Sequence, residues 1–229
     1  MDHDGLSKAA RYMSIFPVIG GAVGLLAGLV VWILEFFLPQ LIAGMIGLGF
    51  LLLINGVQHL DGLLDFGDGV MFHGTRARKL RIMRDPTTGA GGLALGLVVI
   101  STAAFSIAAL PTRLVIVSLI AVEAAANFSM VLATGMSTSA HHGMGAVFVD
   151  AMHQRRGLRI MSSSIILLGI CLLTLRVLGL VVAGGVVLTA TVMVLICSRQ
   201  FGGITGDVMG ATNEISRTVS LILLVVFLK

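Results

Sequence analysis

The chain has 229 residues, 57% of them hydrophobic and 11% charged, and a mean hydropathy of +1.04; a soluble domain needs far more polar surface, so most of this chain has lipid as its solvent. The formal net charge of +4 reads as membrane topology and excludes a nucleic-acid surface, because basic residues of membrane proteins mark the loops kept in the cytoplasm. Cys171 and Cys197 are the only cysteines and both sit in apolar runs, which excludes a disulfide framework and a cysteine-ligated zinc site.

The polar start, Met1 to Arg11, leads into an apolar run from Met13 to Leu38 that is too long for a signal-peptide core, so a retained helix is expected. Crossing ~30 Å of hydrocarbon takes about 20 apolar residues. Seven stretches approach that length: Ile15 to Leu38, Leu41 to Leu60, Leu93 to Leu110, Thr112 to Thr134, Leu158 to Leu175, Leu178 to Cys197, and a shorter one, Ile215 to Leu228. The fold class expected is therefore an all-α, polytopic transmembrane bundle of about seven membrane helices in one domain, residues 1–229. Pro39 and Pro111 mark two tight connections. Gly20, Gly24 and Gly28, four residues apart, predict close approach to a neighbouring helix within the bundle.

With the amino terminus in the cytoplasm and sides alternating, Lys8, Arg11, Arg76, Arg78, Lys79, Arg81, Arg84, Arg155, Arg156, Arg159, Arg199 and Arg217 fall inside, and only Arg113, Arg176 and Lys229 outside. That bias predicts a multi-pass protein of the cytoplasmic membrane. The same face receives Asp61, Asp65, Asp68, Asp85, Asp150, Asp207 and Glu214, which the positive-inside rule does not explain.

Gln58 to His73 reads QHLDGLLDFGDGVMFH. Asp61, Asp65 and Asp68 at i, i+4 and i+7 occupy about a 60° arc of one helix face, at 100° per residue. Three carboxylates so placed repel one another, and a divalent cation with hard oxygen ligands, Mg²⁺ above all, removes the repulsion. The competing reading is a solvated acidic face, which the interleaved Leu63, Leu64, Phe66, Val70 and Met71 disfavour. Thr75 is placed to cap a short helix that leaves Arg76, Lys79 and Arg84 able to reach anions, with lipid-headgroup contact as the alternative. Asp85, Pro86 and the glycine-rich turn through Gly89 to Gly92 open the next helix, where free amides hold a phosphate or the glycines simply permit the turn.

Glu123 lies near the middle of its helix, and a neutral acid bonded within the bundle, to Asn127 one turn on, is the expected state. His141, His142 and His153 read as loop residues because no cysteine or carboxylate set completes a metal site with them. Gly202 to Glu214, GGITGDVMGATNE, reads as a polar loop in which Gly202, Gly203, Thr205, Asp207 and Glu214 approach a phosphate or a cation.

Four segments, HLDGLLDFGDG from His59, LRIMRDPTTGAGGLAL from Leu80, GMGAVF from Gly143 and GGITGDVMGA from Gly202, in that order and spacing, make the chain resemble the cobalamin synthase (adenosylcobinamide-GDP ribazoletransferase) family along its whole length. The resemblance implies a Mg²⁺-dependent membrane enzyme, its active site facing the cytoplasm, that joins adenosylcobinamide-GDP to α-ribazole or α-ribazole phosphate and releases GMP. It implies Asp61, Asp65, Asp68, Asp85 and Asp207 as metal ligands, and His59 or one of those carboxylates as proton acceptor. It further implies Arg84 and Arg78 as partners of the leaving phosphate, with Arg76, Gly89, Gly202, Gly203, Thr205 and Glu214 about the substrates. The small molecules and the bilayer are the partners expected, with self-association into a homo-oligomer left open. Two departures stand out: Ala124 to Asn127 and the neutral MSTSAHHG, Met136 to Gly143, replace a basic stretch of many relatives, and the amino-terminal signature is reduced to Ser14, Ile15, Phe16 and Pro17. The alternatives are a CDP-alcohol phosphotransferase of lipid synthesis, whose Ala-Arg and paired-Asp spacing is missing, and a cation transporter, against which the acids gather at one face.

Overall fold

The computed structural model describes Ala10, residues 12–141 and residues 143–228; Lys8, Arg11, His142 and Lys229, used above, lie outside them. A 3₁₀ turn, Met13–Ile15, leads into α1 (Phe16–Leu34), followed by α2 (Gln40–Ile54), α3 (Gln58–Met71), α4 (Arg76–Ile82) and α5 (Ala90–Ala108). A second 3₁₀ turn, Thr112–Leu114, precedes α6 (Val115–Met136), and α7 (Met144–His153), α8 (Arg156–Leu175), α9 (Leu178–Gln200) and α10 (Gly206–Phe227) complete the chain. No strand occurs among the described residues, only one parallel bridge between Ser139 and Ile204.

Six helices, α1, α5, α6, α8, α9 and α10, are long and apolar enough to cross a bilayer. The expected second span is broken. α2 stops at Ile54, Gly56 (φ 75°) and Val57 (φ 61°) take left-handed backbone, and α3 leaves at 94° to α2. The acid-bearing helix is thus not a continuation of an apolar one. Together α2 and α3 are apolar enough to count as a seventh, broken span or a re-entrant loop.

The expected short last span is also corrected. α10 begins at Gly206, so most of the segment expected as a polar loop is helix, leaving only Gly202 to Thr205 to turn the chain. Apolarity alone missed its first two turns because Thr212, Asn213, Glu214 and Arg217 are polar yet buried inside the bundle. Arg217, assigned to a membrane face by alternation, belongs to that interior. Alternation along the helices does hold elsewhere: Arg76, Arg78, Lys79, Arg81, Arg84, Arg155, Arg156, Arg159 and Arg199 share one end of the bundle, and Arg113 and Arg176 the other.

α6 is the axis of the bundle, buried along nearly its whole length from Leu119 to Gly135. α1 lies along it because Gly20, Gly24 and Gly28 face the backbone at Glu123, Leu119 and Ile116. Small residues let helix backbones meet where lipid supplies no hydrophobic drive, so the spaced glycines serve internal packing as expected. α9, α8 and α10 pack around the rest of α6, and α3 is wedged between α10 and α5.

A Cβ at Gly24 stands 2.9 Å from Ile120 Cα, whereas one at Gly49 on α2 meets nothing within 4 Å. Gly24→Ala is therefore expected to lower the thermal midpoint in detergent, at a cost of about 1–3 kcal/mol for overpacking. Gly49→Ala is expected to raise it slightly, by up to about 1 kcal/mol of helix propensity. Equal responses at the two positions contradict this packing.

Candidate active site

The acidic helix α3 alternates carboxylates with glycines, and the glycines decide where the carboxylates stand. A Cβ at Gly62 lies 2.6 Å from Asp207 O, one at Gly67 lies 2.9 Å from Gly92 Cα, and one at Gly69 lies 2.6 Å from Met83 Cγ. Each glycine thus admits a different neighbour: α10, α5 and the end of α4. Gly210 on α10 returns the approach, its own Cβ position being 2.9 Å from His59 Cα. Phe66 seals the wedge edge-to-face against Phe201, with ring centroids 6.1 Å apart.

This packing brings Asp61, Asp65 and Asp207 to a common electrostatic neighbourhood. Burial first, then the like charges of Asp207, Asp61 and Asp68, push the Asp65 carboxyl up to about 7; crowded carboxylates keep a proton that isolated ones release. Asp207 in turn feels Asp61, with His141 and Arg84 close by. Among the described residues no group of three or more histidine, cysteine or acidic side chains is placed to hold a metal ion by itself. The carboxylates of Asp61, Asp65 and Asp207 are the kind of oxygen donor that a hard cation would take together with water and phosphate oxygens.

Asp68 has a different task. Its Oδ2 accepts from the Gly89 amide at 2.7 Å and its Oδ1 from the Gly92 amide at 2.8 Å, so it caps α5 across the wedge. The free amides expected at the glycine turn are thereby used by the protein itself, and Gly89 is a contact of Asp68 before it is a phosphate cradle. At the same end of α3, Lys79 is buried and its Nζ donates to Gly69 O and Val70 O at 3.4 and 3.3 Å. This cation, expected to reach anions, instead satisfies the last carbonyls of α3.

Thr75 caps α4 as expected, accepting from the Arg78 amide at 3.4 Å. Arg78 lies over the Phe72 ring, 5.2 Å from its centroid, and Arg76 Nε donates to Arg199 O at 3.2 Å, at the end of α9. Asp85 accepts from the hydroxyl and amide of Thr87 at 2.5 and 3.0 Å; these bonds, with Arg81 nearby, hold its carboxyl below the usual range. With Ile82 it lines two adjoining hollows. One, about 340 Å³, is completed by Asp68, Phe72, Thr87, Gly89 and Gly91; the other, about 560 Å³, carries Thr75, Arg78 and Arg81. Anionic groups suit the second and hydroxyl groups the first.

The other expected site residues divide. Thr205 caps α10, accepting from the Val208 amide and donating to Asp207 Oδ2, both at 3.2 Å. Gly203 (φ 159°) is occupied by the loop from Thr138 to Ala140, which a Cβ there would strike, while Gly202 (φ 84°) opens towards Arg76. Glu214, expected to touch substrate, is buried with its carboxylate on Arg217. His59 turns inward, towards Asn213, Arg217 and Glu123, away from the open side of the acids. His141 is a loop residue as expected, and the bridge between Ser139 and Ile204, where Ala140 N donates to Ile204 O and Ile204 N to Thr138 O at 2.9 Å each, carries it to the neighbourhood of Asp207. Nothing in its sequence neighbourhood signals this, because the pairing joins loops more than sixty residues apart.

Comparison with known proteins gives one concordant answer. The family model described as cobalamin-5-phosphate synthase matches residues 2–225. A protein of Methanocella arvoryzae named adenosylcobinamide-GDP ribazoletransferase is 33% identical, over 96% of this chain and 87% of its own length. Proteins of the same name from Pyrococcus abyssi, 30% identical over 95% and 89%, and Syntrophobacter fumaroxidans, 32% identical over 93% and 86%, are similar to the same extent. No solved structure matches the chain significantly.

The division of labour among the acids is measurable without substrate. Asp68→Ala is expected to lower the thermal midpoint, losing a helix cap that contributes about 1–2 kcal/mol. Asp61→Asn, which relieves repulsion at Asp65, is expected to leave the midpoint unchanged or raise it. The reverse order would show that Asp61, not Asp68, supports the fold.

Proposed function

The chain belongs to the cobalamin-5-phosphate synthase family, and from that premise we propose that it is an adenosylcobinamide-GDP ribazoletransferase that works at the acidic wedge between α3 and α10. The observation that carries the assignment to this place is the crowding of Asp65 by Asp207, Asp61 and Asp68, beside the basic hollow of α4.

In the reaction, a ribose hydroxyl of α-ribazole, or of its phosphate, attacks the cobinamide-side phosphorus of adenosylcobinamide-GDP. The new P–O bond forms as the bond to the bridging oxygen breaks, and GMP leaves with that electron pair. Such a displacement calls for positioning and for neutralising charge on the oxygens in flight. Asp61, Asp65 and Asp207 would hold Mg²⁺, whose bound charge offsets that of the diphosphate. Arg84, close to Asp207, and Arg78 and Arg81, lining the larger hollow, face the phosphates of the departing nucleotide; Arg76 guards Gly202 at the rim. With His59 turned inward, the hydroxyl proton goes to a carboxylate of α3.

The basic residues gathered at the end of the bundle that carries α3, α4 and α7 support an active site on the cytoplasmic side of the cell membrane. The family matches favour this reading and lend no weight to a CDP-alcohol phosphotransferase or a cation transporter.

Purified protein in detergent is expected to release GMP from adenosylcobinamide-GDP when α-ribazole and Mg²⁺ are both present. Asp61→Asn and Asp65→Asn are expected to cut that rate by about 100-fold or more, the scale of losing a group that stabilises transferring charge, while the protein still inserts. Near-normal rates in both variants would remove the acids from the mechanism. The electrostatics also predict a pH response without substrate. The folded-state affinity of Asp65 for a proton is raised, so the folded state binds more protons than the unfolded chain and stability declines as pH rises from about 4 through about 7. Added Mg²⁺ is expected to restore the thermal midpoint at pH 8 and to have little effect at pH 5; an effect equal at both would show the ion binding elsewhere.

A further inference from the structure

Beneath the acidic wedge lies a second charged cluster to which the chemistry above assigns nothing. Arg217, fully buried on α10, forms a two-pronged pair with Glu123 of α6, through Nε to Oε1 and through Nη2 to Oε2 at 2.9 Å. Its Nη1 binds Glu214 Oε2, and Nη2 also donates to Asn213 Oδ1 at 3.2 Å. Asn127, the partner expected for Glu123, donates to its backbone carbonyl at 3.0 Å and leaves the carboxylate to Arg217. All three charged side chains are at most 1% exposed, and Arg217 is about 16 Å from the start of α10 at 1.5 Å per residue.

Such a triad is a costly way to hold helices together. Desolvation of buried charges consumes most of their attraction, and apolar side chains of like volume commonly hold a core as well or better. What the triad adds is direction. One turn from Glu123, α6 carries Ala126, and one turn from Glu214, α10 carries Ala211, both buried; side chains this small let helices approach but do little to fix rotation or register. A slip of one residue along α10 is 1.5 Å of rise and 100° of turn, enough to carry Asp207 away from α3. The planar guanidinium, holding both oxygens of Glu123 and one of Glu214, admits one rotation only. The cluster reaches α3 as well: His59, two residues before Asp61, faces Asn213 and the Arg217–Glu123 pair, and Gly210 lies against its backbone. Asn213 Nδ2, Glu214 Oε1 and His59 Nδ1 are buried there without a protein partner, so the junction is polar on both helices and disfavours any apolar substitute packing.

We propose that Glu123, Arg217 and Glu214 are positioning residues, which lock the rotation of α10 against α6 so that Asp207 faces Asp61 and Asp65. The turnover part of the test rests on the function proposed above; wild-type GMP release reports on that function, and the comparison between variants reports on the lock. The charge-free variant Glu123→Gln, Glu214→Gln, Arg217→Met keeps side-chain volume and is expected to insert and unfold cooperatively. Its kcat is expected to fall about 100-fold, the scale of a 1 Å misplacement, with KM for adenosylcobinamide-GDP within about threefold because the basic hollow is untouched. Spin labels at the exposed positions Phe105 on α5 and Ile222 on α10 are expected to give one narrow distance in the parent and a shifted or broadened one in the variant, a readout that needs no turnover. An unchanged distance together with kcat within threefold of wild type overturns the proposal. Should the triple variant not fold, Glu214→Gln alone decides: a kcat loss of tenfold or more at constant KM supports the lock, and an unchanged kcat refutes it.

Discussion

The close approach of α3 to α10, backbone against backbone at Gly62 and Asp207, is the constraint on which the rest depends. It forces carboxylates from two helices into one partly buried space, where their mutual repulsion is a standing cost unless a proton or a cation offsets it. The protein shows both sides of that bargain: Asp65 is pushed towards neutrality, while Asp68, from the same face, escapes by capping α5. A membrane protein has little to gain from crowding acids for stability. A divalent cation bound there would relieve the crowding and also draw in phosphate oxygens.

Around this point the elements are held by polar contacts placed where helices end. Asp68 satisfies the first amides of α5, Lys79 the last carbonyls of α3, Thr75 and Thr205 the starts of α4 and α10, and Arg76 the end of α9. Asp68, Lys79 and Arg76 each tie a terminus to a different helix, while Thr75 and Thr205 cap their own, so the site is framed by termini whose orphan groups are partly met. Arg78, Arg81 and Arg84 stand exposed at this end. That leaves the anion-binding capacity of this end of the bundle on side chains able to reorient around two substrates.

Much of this was legible in the sequence. Composition, span lengths and the grouping of arginines identify the bundle and its sidedness of charge, and the spacing of Asp61, Asp65 and Asp68 identifies the acidic face. The break after Ile54 was hidden because Asn55 and Gly56 are brief and the apolar signal runs up to them, and periodicity carries no information on a left-handed Val57. The burial of Glu214 and Arg217 was hidden because a polar residue on an apolar helix looks like an end signal, and only its partner 94 residues away, Glu123, shows it to be interior. Likewise Gly62, Gly67 and Gly69 are legible as small residues, but which neighbour each admits is a fact of three dimensions. His141 reached the site through a loop-to-loop bridge with no local signature.

The central claim, that one cation is shared by acids of α3 and α10, is tested most directly by locating it. Mn²⁺ is a suitable stand-in with the same preference for oxygen, and its anomalous scattering in crystals of the protein with a GDP-linked substrate marks its position. One ion is expected, with oxygen ligands from Asp61 or Asp65 and from Asp207, at about 2.0–2.2 Å as for hard octahedral cations. An ion held by α3 alone, or one bound away from Asp207, would contradict it.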